Sequence, residues 1–285
     1  MKFQPRCTDC LLSRVVYEAG LVLDDRERIE AVRRAAAEVL ASGRDAGIAA
    51  PVIASAVHRC AYEMIGSDDP YLALKGENNA DALAAVEVIG PGLSTFRDYV
   101  CAAVLANTFD YGVQSHQVTD DFLAFFDEEF PKGLTIDETD AILSLCDRVV
   151  YLTDNCGEVV FDRLLIRYLK EAGAEVTVVV RGAPILNDAT IEDARALGLD
   201  ALADAVLTTT AGERELGVNL DLAPPELLDA LGRCTLVIAK GMANYESLTE
   251  YDDFPPVAHL MAVKCETIAE MVGVPKGSRV AFLRG

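Results

Sequence analysis

No apolar run in this chain approaches the roughly 18–20 residues that span a bilayer, so no membrane-crossing helix is expected. The opening Met1-Lys2-Phe3-Gln4-Pro5-Arg6-Cys7 lacks the apolar core of an export leader, which predicts a protein kept in the cytoplasm. Positive charge is scarce. The 25 Lys and Arg residues face 46 Asp and Glu, and a net charge of −21 argues against binding the phosphate backbone of a nucleic acid. The same acidity predicts a strongly solvated surface of the kind halophilic proteins use, with self-repulsion at low salt. Histidine is rarer still: His58, His116 and His259 stand far apart in sequence, and none is expected to ligate a metal. No fixed-period repeat or low-complexity stretch is present.

The chain contains eight cysteines, and without an export signal these are expected to be reduced thiols. Cys60, Cys101, Cys146 and Cys234 fall in apolar patterns and are expected to act as small core residues. Cys7-Thr8-Asp9-Cys10 is the exception, but no second pair follows at zinc-ribbon spacing and no βαβ unit adjoins it as in a thioredoxin.

With 285 residues, half of them hydrophobic, the chain is long enough for a two-part body with a sizeable core. From Asp9 to about Val118 apolar residues recur at helical spacing, as in Leu11, Leu12, Val15 and Val16, then Ile29, Val32, Ala36, Val39 and Leu40. Breaks are expected at Ala41-Ser42-Gly43, around Gly66 to Pro70, and at Gly90-Pro91-Gly92. After Phe130-Pro131-Lys132-Gly133 the texture changes. Short apolar runs at Arg148–Thr153, Val176–Val180, Ala205–Leu207, Thr235–Ala239, Val257–Val263 and Arg279–Leu283 alternate with helical stretches, the pattern of βαβ units. The expected architecture is α/β: residues 1–130 form an all-helical N-terminal domain. Residues 131–285 form a Rossmann-like domain whose mostly parallel sheet carries helices on both faces.

Ligands of such sheets gather beyond the carboxyl ends of the strands, and polar residues cluster at those places here. Asp154 and Asn155 follow the first strong strand, Asn187 and Asp188 lie in the loop after the second, and Lys240 ends the run Thr235–Ala239. An Asp or Asn there also suits a helix cap, but two adjacent oxygen donors suit a cation with six oxygen ligands better. Lys240 is a compact cation for phosphate oxygens, and Asn244 and Glu246 are expected to add polar contacts to the substrate, as is Asn107 from the helical half; the competing reading is a lysine reaching from the sheet's end into solvent. In the helical half, Asn107 and Asp110 share a helix face, as do Lys75 and Asn78.

Six segments together resemble the metal-dependent damage-control phosphatase family, formerly domain of unknown function eighty-nine, in its prokaryotic branch. They are Cys7-Thr8-Asp9-Cys10, Asn107 to Gly112, Asp154-Asn155-Cys156-Gly157-Glu158, Leu186 to Thr190, Lys240 to Glu246 and Lys264-Cys265-Glu266. The resemblance implies a helical region on a Rossmann-like core and hydrolysis of phosphate monoesters of small metabolites, sugar phosphates or damaged and surplus intermediates among them. It implies Asp154, Asn155 and Asp188 as ligands of Mg²⁺ or Mn²⁺, with Co²⁺ or Ni²⁺ as further candidates. Lys240 would hold the substrate phosphate, Asn107 and Asp110 would approach from the helical side, and Cys265 would join Cys7 and Cys10 in a thiol cluster. Many relatives have a small residue where this chain has Cys156, which introduces a metal-linked or oxidation-sensitive thiol. Water activated by the metal is favoured over an aspartyl-phosphate, with Asp188 or Asp110 accepting the proton.

Three other readings are weighed. A haloacid-dehalogenase-type phosphatase needs a second Asp where this chain has Cys156. An S-adenosylmethionine-dependent carboxyl methyltransferase calls for a glycine-rich turn, and the stretch 154–158 has one glycine. A non-catalytic metal- or nucleotide-binding module would bind metal without releasing phosphate.

Overall fold

The computed structural model describes residues 1–45, 48–108 and 118–284. Helices α1 (Cys7–Gly20), α2 (Arg26–Asp45), α3 (Ala50–Ile65), α4 (Leu72–Ile89), α5 (Phe96–Thr108) and α6 (Val118–Glu129) come first. Pro51 in its first turn pre-sets the start of α3, and Gly66, in the left-handed region at φ 75°, ends it. The break expected at Ala41-Ser42-Gly43 does not occur. Helix α2 runs on through Gly43, where a Cβ would lie 3.0 Å from Ile53, so the glycine serves close packing of α2 on α3.

The α/β part follows the expected alternation. After β1 (Ile136–Asp137) and α7 (Thr139–Leu143) come β2 (Arg148–Leu152), α8 (Glu158–Glu171), β3 (Glu175–Val180), α9 (Ile191–Ala196), α10 (Leu199–Leu202) and β4 (Ala205–Thr208). They are followed by α11 (Pro225–Arg233), β5 (Leu236–Lys240), α12 (Gly241–Leu248), β6 (Val257–Ala262), α13 (Glu266–Val272) and β7 (Arg279–Arg284). The strands form a seven-stranded sheet in the order β1-β7-β6-β5-β2-β3-β4, parallel except where β6 meets β7. The short β1 and the helix α12 were not foreseen.

The chain steps from β2 outward through β3 to β4, then crosses back to place β5 on the other side of β2. The reversal opens a crevice beyond the carboxyl ends of β2 and β5, where open α/β sheets bind ligands. Both strands are buried almost throughout. Helices α4, α5 and α6 supply Ile89, Phe96, Val100, Val104, Phe122 and Phe126 to the apolar cluster that contains Val149, Tyr151 and Ile238 of the sheet. Helices α1, α2 and α3 form a second cluster around Val15, Val32, Ile53 and Val57. Among the described residues no helix is long and apolar enough to cross a membrane.

Candidate functional site

Asp154 and Asn155 stand in the loop between β2 and α8, and neither caps the helix. The cap position is Gly157 at φ 84°, whose N–H donates to Asn79 Oδ1 of α4 at 2.7 Å. Asp188 is likewise free of capping duty, because Thr190 starts α9 and its N–H and hydroxyl donate to Asp193 Oδ2 at 2.9 and 2.8 Å. The two loops are joined by a bridge between Asn155 and Asp188, by Cys156 N–H to Asn187 O at 2.8 Å, and by Ala189 N–H to Asp154 O at 2.8 Å. Tertiary structure therefore brings together three polar residues about thirty positions apart in sequence.

Arg181, just past the end of β3, is buried between the two acids. Its Nε donates to Asp188 Oδ2 at 2.5 Å and its Nη1 to Gly217 O at 2.7 Å and Asn244 Oδ1 at 3.1 Å. Its Nη2 lies 3.5 Å from Asp154 Oδ1 and otherwise has no hydrogen-bond partner among the described residues. Sequence reading missed this residue, since a charge after a strand is usually a solvated end; the signal was its place directly before the Pro184 to Asp188 loop. Burial, then the charges of Asp188 and Glu158, push the Asp154 carboxyl well above the usual range, against the pull of Arg181 and Lys264. Gly241, at φ 72°, begins α12 against this acid: a Cβ there would lie only 1.8 Å from Asp154 Oδ2.

Lys240 is fully buried beneath the acids. Its ammonium donates to Glu158 Oε1 and Asp162 Oδ1, both at 2.5 Å, and to Ala103 O at 3.2 Å. Burial lowers its pKa, but the charges of Asp162 and Glu158 prevail and hold it up at about 12. All three of its donors are thus engaged, so a direct grip on phosphate is not what this geometry offers. Asn107 donates to Glu158 Oε2 at 2.6 Å and Asp154 Oδ2 at 3.3 Å and accepts from Ala262 N–H at 2.9 Å. Asn244 donates to Thr153 O and Lys240 O and accepts from Arg181. Both amides were expected on the substrate; both are buried instead, Asn107 bracing Asp154 and Glu158 and Asn244 bracing Arg181 and the backbone.

Glu246 lies elsewhere, near the N-terminal ammonium of Met1 and Cys265, and burial raises its carboxyl to about 7. Asp110 lies outside the described residues. Lys264 carries a half-buried cation whose charge reaches Asp154. Cys7 packs against α13, with Sγ 4.0 Å from Thr267 Oγ1; Cys265 is half-buried and Cys10 is exposed. Among the described residues no group of three or more His, Cys, Asp or Glu is arranged to hold a metal, so these thiols form no closed metal set. Cys156 is fully buried, and burial pushes its thiol well up, which disfavours the thiolate that an oxidation-sensitive role requires.

The donors at the crevice are two carboxylates and a carboxamide, all hard oxygen ligands, and they suit a divalent cation such as Mg²⁺ or Mn²⁺. Asn155 here turns its Nδ2 toward Asp154 Oδ2, at 2.8 Å, and a half-turn of the amide presents its oxygen instead. The acids Asp154, Glu158, Asp162 and Asp188 formally outweigh the cations Arg181, Lys240 and Lys264, four to three. A divalent cation would reverse that sign and make the crevice attractive to an anion. The donor set therefore fits the ion. Cavities of about 460 and 270 Å³ lie away from these residues, between α2 and α3 and beside α4 and α8.

Comparison with known proteins shows the family and the fold. A family model described as the damage-control phosphatase ARMT1-like domain matches residues 3–280. The chain is 40% identical to a damage-control phosphatase of Archaeoglobus fulgidus, over 99% of each chain. It is 30% identical to a damage-control phosphatase of Pyrococcus horikoshii, over 99% of this chain and 98% of that one. A crystal structure of a DUF89-family protein from Pyrococcus horikoshii superposes with a TM-score of 0.91 at 29% identity, covering 99% of both chains.

Proposed function

Because this chain belongs to the damage-control phosphatase ARMT1-like family, we propose that it is a metal-dependent phosphatase, acting in the cytoplasm on phosphate monoesters of small metabolites. The observation that carries this reading is the convergence of Asp154, Asn155 and Asp188 at the sheet's switch point, over a floor of buried cations. In the proposal these three residues hold the metal, Mg²⁺ or Mn²⁺ first and Co²⁺ or Ni²⁺ next. When bound there, the ion would supply Lewis-acid polarisation of a phosphoryl oxygen and would lower the pKa of a bound water.

The protein's own part is positioning and charge. Arg181 keeps Asp154 and Asp188 at a common point, and its Nη2 is the donor left to turn toward a phosphoryl oxygen. Asn107 and Asn155 steady Asp154 and Glu158. Lys240 keeps Glu158 and Asp162 paired beneath the acids, and the charge of Lys264 also acts on Asp154. Asp188 accepts the proton of the attacking water, a role shared in the sequence reading with Asp110.

The test is phosphate release from a panel of phosphomonoesters at high salt, with each metal and with chelator, for wild type and Asp154→Ala. Turnover should need the metal and fall more than about 100-fold in the variant, beyond the usual loss from a residue outside the ligand set. A folded, metal-loaded protein that releases no phosphate from any substrate would return the methyltransferase and binding-module readings to the front.

A further inference from the structure

Two residues before Asp188, Leu186 takes φ 49°, the one left-handed non-glycine backbone among the described residues. A branched side chain resists that conformation, and such strain persists only where the surroundings over-determine it. Here they do. Asp188 N–H closes a turn on Ile185 O at 3.2 Å, and the N–H of Leu186 itself donates to the hydroxyl of Tyr62, in α3, at 2.9 Å. The next residue, Asn187, accepts on its Oδ1 from Asn78 Nδ2 of α4 at 3.3 Å. Helices from the N-terminal half thus grip both central residues of the turn that presents Asp188.

Tyr62 is itself held firmly. It is buried, and it lies one helical turn beyond His58, whose Nδ1 pairs with Glu18 of α1 at 2.9 and 3.1 Å to the two carboxylate oxygens. Burial and the Glu18 charge keep the Tyr62 phenol protonated, so it acts on the loop as a neutral hydrogen-bonding group.

We propose that Tyr62 is a positioning residue for the metal loop: its hydroxyl keeps Leu186 in the left-handed turn that aims the Asp188 carboxylate at the point faced by Asp154. The inference rests on the metal reading given above. It places part of the metal site's affinity in a helix that contributes no ligand.

The test uses the full-length, metal-stripped protein and three measurements: calorimetric titration with MnCl₂, hydrogen exchange of the 181–190 segment without metal, and thermal melting. Tyr62→Phe removes one oxygen and leaves the packing. Its Mn²⁺ dissociation constant should rise about fivefold to tenfold, the worth of one hydrogen bond. The amides of residues 185–188 should exchange faster in the metal-stripped protein. Adding Leu186→Gly should bring the dissociation constant back toward wild type, because glycine adopts positive φ at no steric cost. A purely structural role would lower the melting point and leave Mn²⁺ affinity where it was.

A dissociation constant in Tyr62→Phe within about twofold of wild type overturns the inference. Should wild type bind no Mn²⁺, or Asp188→Asn bind it equally well, the metal reading falls and the inference with it. Weakened binding in Asp188→Asn beside unchanged binding in Tyr62→Phe removes the inference alone.

Discussion

Gly241 shows how little room one residue has here. Its φ of 72° and the 1.8 Å approach of a built Cβ to Asp154 Oδ2 mean that any side chain displaces the acid. We expect Gly241→Ala to cut metal-dependent turnover about 100-fold, the cost of an ångström-scale misplacement, with circular dichroism still reporting a folded protein. Unchanged turnover would mean that Asp154 is not needed where it stands. His259 is a different case: both ring nitrogens lack partners among the described residues, and the ring packs edge-on to Tyr245 and against Phe282. Burial, helped by the charge of Arg284, lowers its pKa from 6.5 to about 3. The folded state therefore excludes a proton that the unfolded chain accepts. This contribution is fully present above about pH 6.5 and is lost as pH falls toward 3, the loss reaching about 2 kcal/mol by pH 5. Denaturant titrations should show His259→Phe losing less stability than wild type between about pH 7 and 5 by that amount. Parallel curves would refute the assignment.

At the scale of elements, α8 and β5 are joined by charge. Glu158 and Asp162, four apart on α8, face Lys240 at the end of β5, and Tyr151 of β2 donates to the same Asp162 oxygen at 2.9 Å. Burial raises the Asp162 carboxyl to about 6 even with Lys240 beside it. Removing the cation strands two buried acids, so Lys240→Met should cost about 3–5 kcal/mol in urea unfolding. The further change Asp162→Asn should recover part of that loss. If Lys240→Met proves as stable as wild type, the ammonium is not the partner of these acids. Lys240 was conspicuous in sequence as a charge ending an apolar strand, but its partners were not. Glu158 reads as an ordinary acid of a first helical turn, and only the packing of α8 on the sheet turns it inward.

For the molecule as a whole, the change of texture near residue 130 is plain in sequence, and we propose that it marks a change of architecture rather than a seam between independent folding units. Phe96, Val100, Val104, Phe122 and Phe126 belong to the same apolar cluster as the strands and α8, so residues 131–285 alone would leave part of that face of the sheet in water. Expressed separately, that segment should show no cooperative melting transition and rapid exchange of its strand amides. A sharp transition near that of the full chain would establish an independent domain.

Periodicity, charge and local chemistry were enough for the class of fold. Apolar runs of strand length separated by helical stretches dictate a parallel sheet, because parallel strands require crossovers. The polar residues after β2 and in the β3 to α9 loop were legible because an acid or amide beside a buried strand needs a partner. The sequence could not reveal which partner each group takes, since that depends on contacts between residues far apart in the chain. Tertiary structure alone gave Arg181 to the two acids, drew Lys240, Asn107 and Asn244 into bracing roles, and set Glu246 apart from them. It also placed α3 and α4 against the turn before Asp188, so residues of the helical half shape a site whose proposed ligands all lie in the other half.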